Sequence, residues 1–322
     1  MAPSNGYYTK SAVLFIVFNR PNATRQVFEA IAAVQPKRLY IAADGARTGK
    51  PDDAELCTQV RAITEQITWA CEVNTLFRST NLGCKEAVSS AIGWFFEHEE
   101  EGIILEDDCL PSASFFSFCD ELLERYRHDS RISMVSGSNL QQGKVWGQGS
   151  YYFSTMTLIW GWASWRRVWN SYDKELLLYS EPEVVRQLSK VLPNKYLHQS
   201  WVQLFRDLKA GKIDTWDLQF AFINYFNSRI SIVPNQNLIT NIGYGPFATH
   251  TTNTDSIYAA IPLTHITEPL THSPYFAPET EADTEVLNYQ FNIAQRTRDQ
   301  LPRRRFKRWL KSLWKREKHQ DA

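Results

Sequence analysis

Continuous apolar runs alternate with stretches of helical spacing along the first 130 or so residues. Ser11–Phe18 (SAVLFIVF) is apolar almost without interruption, as in a strand buried on both faces of a sheet. After Arg20-Pro21-Asn22 the apolar positions Val27, Phe28 and Ile31 share one helical face. Arg38–Ala43 predicts a second strand, ending at Asp44-Gly45. The polar loop Ala46–Asp53 then leads into a helix reaching about Ile67. Cys71–Phe77 predicts a third strand. Leu82–His98 predicts a helix with Ala87, Ala91, Trp94 and Phe95 to one side. Ile103–Leu105 is a short strand running into Glu106-Asp107-Asp108, and Pro111-Ser112 opens a helix to about Tyr126, with Ser112 at the N-cap.

The middle of the chain is less regular. Ile132–Ser136 and Tyr151–Thr155 predict strands on either side of a Gly/Gln loop, Gly137–Gly149. Leu158–Trp169 (LIWGWASWRRVW) holds four tryptophans. Residues from about Pro182 to Ala210 are helical, a further helix follows Asp214-Thr215-Trp216-Asp217 and reaches Asn227, and Ile230–Val233 returns as a strand. Gly243–Asn253 (GYGPFATHTTN) has the composition of a mobile cover, and Ile261–Thr284 carries little periodicity.

Strands alternating with helices imply an α/β protein whose mostly parallel sheet is sandwiched by helices. Ligands of such sheets bind beyond the carboxyl ends of the strands. Here those ends carry Asn19-Arg20, Asp44-Gly45, Arg78 and Glu106-Asp107-Asp108, all polar or charged.

Composition narrows the class. Of 322 residues 43% are hydrophobic and 22% charged, which excludes collagen, a long coiled coil and wholesale disorder. The run Ala12–Phe18 is far below the roughly 18 residues of a membrane span, and Met1–Lys10 does not read as a secretion signal. Five cysteines without a C-x-x-C pair indicate neither a disulfide framework nor a zinc site, and suit a reducing cytoplasm. The formal net charge of zero hides a tail of +7 from Leu301 onward and a body of −7. An acidic body does not suggest a nucleic-acid binder.

Three adjacent carboxylates after a buried strand repel one another unless a hard divalent cation or a wet loop relieves them. In this setting the chain resembles the nucleotide-sugar glycosyltransferases of the Rossmann-like GT-A fold, in particular the N-acetylglucosaminyltransferase I type, over most of residues 11–253. FNRPNATRQVF resembles the segment that places an arginine, here Arg20, near the uridine. IAADG aligns Asp44 with a uracil-binding aspartate, and LEDDCLPSASFF matches the family's E-D-D loop and following helix. The resemblance implies that Asp108 contacts the metal, Mn2+ or Mg2+. It gives Glu106 and Asp107 to the donor sugar or ribose. It also aligns Gly161-Trp162 with a Gly-Trp segment, Trp216-Asp217 with the pair carrying the catalytic base, and His250 in GYGPFATH with the histidine of a closing loop. Where the family has a histidine at the nucleotide site, this chain offers Lys85 or nothing. A longer insertion lies between Trp169 and Thr215, and the likeness is lost beyond about residue 260.

Each residue also has a plainer reading. Asp217 can cap the helix that follows it, with Asp214 as the fallback base; Asp44 can belong to a turn, and Arg20 can pair with an acid. Arg78-Ser79-Thr80-Asn81-Leu82-Gly83 suits a loop and helix N-terminus facing phosphate or ribose, or Asn81 as an ordinary cap. The tryptophan cluster is core, or Trp162 stacks on a sugar. In the tail, Phe306, Trp309, Leu310, Leu313 and Trp314 recur at helical spacing opposite the basic residues, the pattern of an interfacial helix on anionic lipid.

The expectation is therefore a metal-dependent, inverting transferase. It would move a sugar from a nucleotide diphosphate donor, a UDP-sugar, to a glycan or lipid-linked acceptor. Residues 1–260 would form the GT-A domain, with a donor half over 11–137 and a smaller acceptor half over 138–260. Residues 261–300 would be an irregular extension. The basic tail over 301–322 would hold the protein through 303–318 on the inner face of the cell membrane. A non-catalytic membrane-associated protein and a sugar-phosphate nucleotidyltransferase are the alternatives. The latter calls for a Gly-rich basic loop after the first strand, and Asn19-Arg20-Pro21 is not one.

Overall fold

The first apolar run lies between two parallel partners in a mixed sheet. β1 (Ala12–Val17) pairs with β2 (Arg38–Ala43) on one side and β4 (Glu101–Glu106) on the other; Val13, Leu14 and Phe15 are wholly buried. Between β1 and β2 runs α1 (Pro21–Ala32). Pro21 occupies its first turn, where a missing N–H leaves no bond unmade. α2 (Asp53–Thr64) leads to β3 (Glu72–Phe77), and α3 (Cys84–His98) leads on to β4. The order β3-β2-β1-β4 is parallel throughout, the Rossmann-like arrangement expected for strands joined by helical crossovers.

This computed structural model describes residues 6–192, 194–243 and 261–299. After β4 come β5 (Cys109–Pro111), α4 (Ala113–Arg125), β6 (Ile132–Ser136), β7 (Tyr151–Ser154), β8 (Trp162–Trp165) and the short α5 (Arg166–Trp169). Then follow α6 (Glu181–Val191), α7 (Lys195–Lys209), α8 (Asp217–Phe226), β9 (Ile230–Pro234), β10 (Ile239–Asn241), α9 (Thr280–Gln290) and α10 (Ile293–Asp299). β8 inserts antiparallel between β4 and β6, and β9 and β7 complete an eight-stranded sheet. β5 and β10 form a separate antiparallel ribbon that pairs Cys109 with Asn241.

Several elements depart from the sequence expectation. The tryptophan-rich run contains strand β8. Gly161, at φ +59, breaks the apolar run just before it, and a Cβ there would stand 2.4 Å from Ile239. The helical stretch from 182 to 210 is two helices, with Asn194 capping the second by accepting from the N–H groups of Tyr196 and Leu197. Ser112 stands at the N-cap of α4 but its hydroxyl does not bond the helix amides. Residues 261–300 are not irregular throughout: α9 and α10 occupy the second half. Asp283 there accepts from Ser154, Thr155 and the Thr155 amide, which ties α9 to the end of β7. A second core, including Leu188, Trp201, Phe205, Phe222 and Val286, lies under α6 to α9. No helix among the described residues is long and apolar enough to cross a membrane.

Candidate functional site

A cavity of about 480 Å³ opens at the carboxyl ends of β1, β2 and β4. Its position follows from topology, because crossovers to opposite faces of the sheet leave a crevice beyond these ends. Arg20, Asp44, Arg78, Glu106, Asp107, Asp108 and Asp217, all singled out from the sequence, line it.

The acid cluster organises one wall. Arg20 Nη1 donates to Asp108 Oδ2 at 2.6 Å and to Asp107 Oδ1 at 3.1 Å; Asp107 also accepts from the Phe18 amide at 3.2 Å. Burial pushes the Asp107 carboxyl up, against the pull of Arg20. Glu106 is packed round by protein yet opens onto the cavity. Burial, together with the charges of Asp108, Asp107 and Asp217, pushes its carboxyl up to about 8. Asp108 is pinned from behind: its carbonyl accepts from the Ile242 amide at 2.8 Å, and a Cβ on Gly243 would stand 2.2 Å from its Oδ2.

The second wall is built on Asp44. Its carboxylate accepts from Gly45 N, Leu82 N and Asn81 Nδ2 at 2.9–3.1 Å and 2.8 Å, so it shapes the loop that precedes α3. Burial raises the Asp44 carboxyl despite those bonds. Arg47, which also lines the cavity, lies over the Phe18 ring at 5.3 Å. Its guanidinium is gripped by the buried Asp53 at 2.6 and 2.9 Å, and Asn19 holds the same carboxylate. Arg78 donates to Ser90 Oγ at 2.7 Å.

Asp217 lines the same cavity from the first position of α8, close enough for its charge to raise the Glu106 carboxyl. The Thr215 hydroxyl donates to Asp217 Oδ1. Trp162 is fully buried and stacks on the buried Trp216 at 5.8 Å, which places it in the core and removes it as a sugar platform. Its neighbour Trp160 lines the cavity instead. Lys85 does not reach the site; its Nζ bonds Glu175 at 2.8 Å. The leading amides of α3 do not face the cavity as a free phosphate site either, because Asp214 accepts from both Cys84 N and Lys85 N. His250 and the basic tail fall outside the described residues.

Arg47, Asp53 and Gly243 were not visible as site residues in the sequence. Arg47 and Asp53 bound an ordinary polar loop, and nothing in the order of residues brings Gly243 against Asp108. That contact requires the β5–β10 ribbon.

Among the described residues no three His, Cys, Asp or Glu side chains form a ready metal cage. The donor set nonetheless suits a hard cation. Six carboxylates line the cavity against three guanidinium groups, and Glu106 is driven toward its neutral form for want of compensating charge. Asp108, with Glu106 beside it, would hold such an ion.

No protein-family model matches the sequence, and no curated protein matches it. Among solved structures, the chain is similar to UDP-glucose pyrophosphorylase complexed with UDP-glucose, at 12% identity and a TM-score of 0.34, over 70% of this chain and 90% of that one. It is similar also to GalNAc-T7 with UDP, GalNAc and Mn2+, at 10% identity and a TM-score of 0.39, over 70% of this chain and 43% of that one. HddC from Yersinia pseudotuberculosis matches at 10% identity and a TM-score of 0.31, over 50% of this chain and 80% of its own. The α/β class expected from the sequence, a mostly parallel Rossmann-like sheet between helices, is the one observed.

Proposed function

We propose that this protein is a metal-dependent, inverting glycosyltransferase that moves a sugar from a nucleotide diphosphate donor, a UDP-sugar, to a hydroxyl of a glycan or lipid-linked acceptor. One observation carries the reading. A single cavity at the carboxyl ends of β1, β2 and β4 is lined both by the acid cluster that follows β4 and by a further carboxylate, Asp217, contributed by α8.

The charge balance supports it. A cavity lined by six carboxylates and three guanidinium groups repels a diphosphate unless a cation intervenes. Bound at Asp108, a divalent ion supplies the charge that offsets the departing diphosphate. Arg20 and Arg78 face the same anion, the Asp44–Asn81 wall takes the nucleoside, and Glu106 and Asp107 hold donor sugar or ribose hydroxyls. Asp217 accepts the proton of the acceptor hydroxyl. That oxygen bonds to the anomeric carbon while the bond to the diphosphate oxygen breaks, and the diphosphate leaves with the electron pair. Attack from the face opposite the leaving group inverts the centre.

The test is UDP binding with Mn2+ and again with EDTA, followed by product analysis with a panel of UDP-sugars. Metal-dependent UDP affinity, UDP release, and loss of turnover by about 10²–10⁴-fold in Asp217→Asn are expected. Full activity in Asp108→Ala, or pyrophosphate as the product, would overturn the reading. The acceptor side rests on the tail, whose basic residues each contribute about 1 kcal/mol at an anionic surface. Cosedimentation with phosphatidylserine vesicles by the full chain, lost on deleting 303–318, checks that attachment.

A further inference from the structure

We propose that Asp214 is a positioning residue, which sets the place of the Asp217 carboxylate by clamping the turn before α8 onto the first turn of α3. The proposal rests on the reading of Asp217 as the base.

α3 begins after Gly83, at φ +81, which has no side chain to cap the helix. A residue 130 positions away supplies the cap. Asp214 Oδ2 accepts from Cys84 N at 2.9 Å and Oδ1 from Lys85 N at 3.0 Å. A carboxylate at a helix N-terminus meets both the unbonded amides and the positive end of the dipole. Gly83 also makes room for it: a Cβ there would stand 2.7 Å from Asp214 Oδ2.

Asp217 follows three residues later on a turn held at more than one point. Trp216 is buried against Trp162, and its carbonyl accepts from the Tyr172 hydroxyl at 3.1 Å. The Thr215 hydroxyl donates to Asp217. Asp214 is the tie among the cavity-lining residues, and it joins this turn to the same loop that Asp44 shapes through Asn81 and Leu82. Both oxygens of Asp214 are engaged by amides, which favours a positioning role over the fallback base that sequence order suggests.

The full-length variants Asp214→Ala and Asp214→Asn test this with two readouts. Amide hydrogen exchange at Cys84 and Lys85 speeds up in the alanine variant and less so in the asparagine variant, whose single acceptor oxygen keeps one bond. In steady-state kinetics the alanine variant loses about 10- to 100-fold in kcat, with donor KM and UDP affinity held within about threefold. The acidic limb of its pH–kcat profile stays, because Asp217 is still the base, and asparagine recovers most of the rate. Unchanged kcat in Asp214→Ala overturns the proposal. So does loss of the acidic limb, which would make Asp214 itself the base, or an equal loss of kcat and UDP affinity, which would mark a merely structural role. A wild type inert with every UDP-sugar overturns the transferase reading and this role with it.

Discussion

Arg20 Nη1 stands 2.6 Å from Asp108 and 3.1 Å from Asp107, so one guanidinium serves two of three adjacent acids. Removing one partner of a buried ion pair costs about 3–5 kcal/mol, because the other charge stays desolvated. Arg20 is a quarter exposed, which discounts that cost, so Arg20→Met should lower stability by about 1–3 kcal/mol in urea unfolding at pH 8. The deficit should shrink at pH 5, where the raised carboxyls of Glu106 and Asp107 are protonated.

Glu106→Gln should act in the opposite sense. A carboxyl whose folded value lies above its unfolded one stabilises the fold at low pH, and that contribution is lost as pH rises through the folded value, here about 8. In metal-free buffer the variant should melt higher than wild type at pH 9 and differ little at pH 5. UDP binding with Mn2+ should weaken at the same time. A variant that melts lower than wild type at pH 9 would contradict the charge balance drawn for the cluster.

Asp53 titrates the other way. The Arg47 hydrogen bonds hold its carboxyl down at about 2, so its stabilisation is present above the unfolded value near 4 and fades as pH falls toward 2. Arg47 is partly exposed, which discounts the pair. Asp53→Asn should cost about 1–2 kcal/mol at pH 7, with the gap closing near pH 2 in acid unfolding. The freed Arg47 should also weaken nucleotide affinity, read by calorimetry.

Gly243→Ala should push the Asp108 carboxylate aside, since the added methyl would meet Oδ2 at 2.2 Å. Metal-dependent UDP affinity should fall by about tenfold or more, while the melting temperature changes little. An unaltered affinity would place the cation away from Asp108.

The parallel half of the sheet was legible because its strands are buried on both faces and read as unbroken apolar runs, Ala12–Val17 above all. The polar strand ends followed directly, and with them Arg20, Asp44 and the acids after β4. Trp162 was ambiguous for a physical reason. An aromatic ring suits a core and a sugar equally, and only its stacking on Trp216 decides. The contacts of Asp214 were not legible because a carboxylate near a helix can be base or cap, and the amides it bonds lie 130 residues upstream. α9 was missed because its buried face is small, Ala282, Val286 and Leu287, and opens after a proline-rich stretch.

The placement of β8 has a consequence for synthesis on the ribosome. β4 emerges with β1 to β3, yet its outer hydrogen-bonding edge stays bare until Trp162–Trp165 follows. The wall behind Asp108 waits longer still, for Ile239–Asn241. A nascent chain halted at residue 137 would thus carry the whole acid cluster and an open strand edge, with neither its backing nor Asp217. Such fragments should aggregate rather than bind nucleotide.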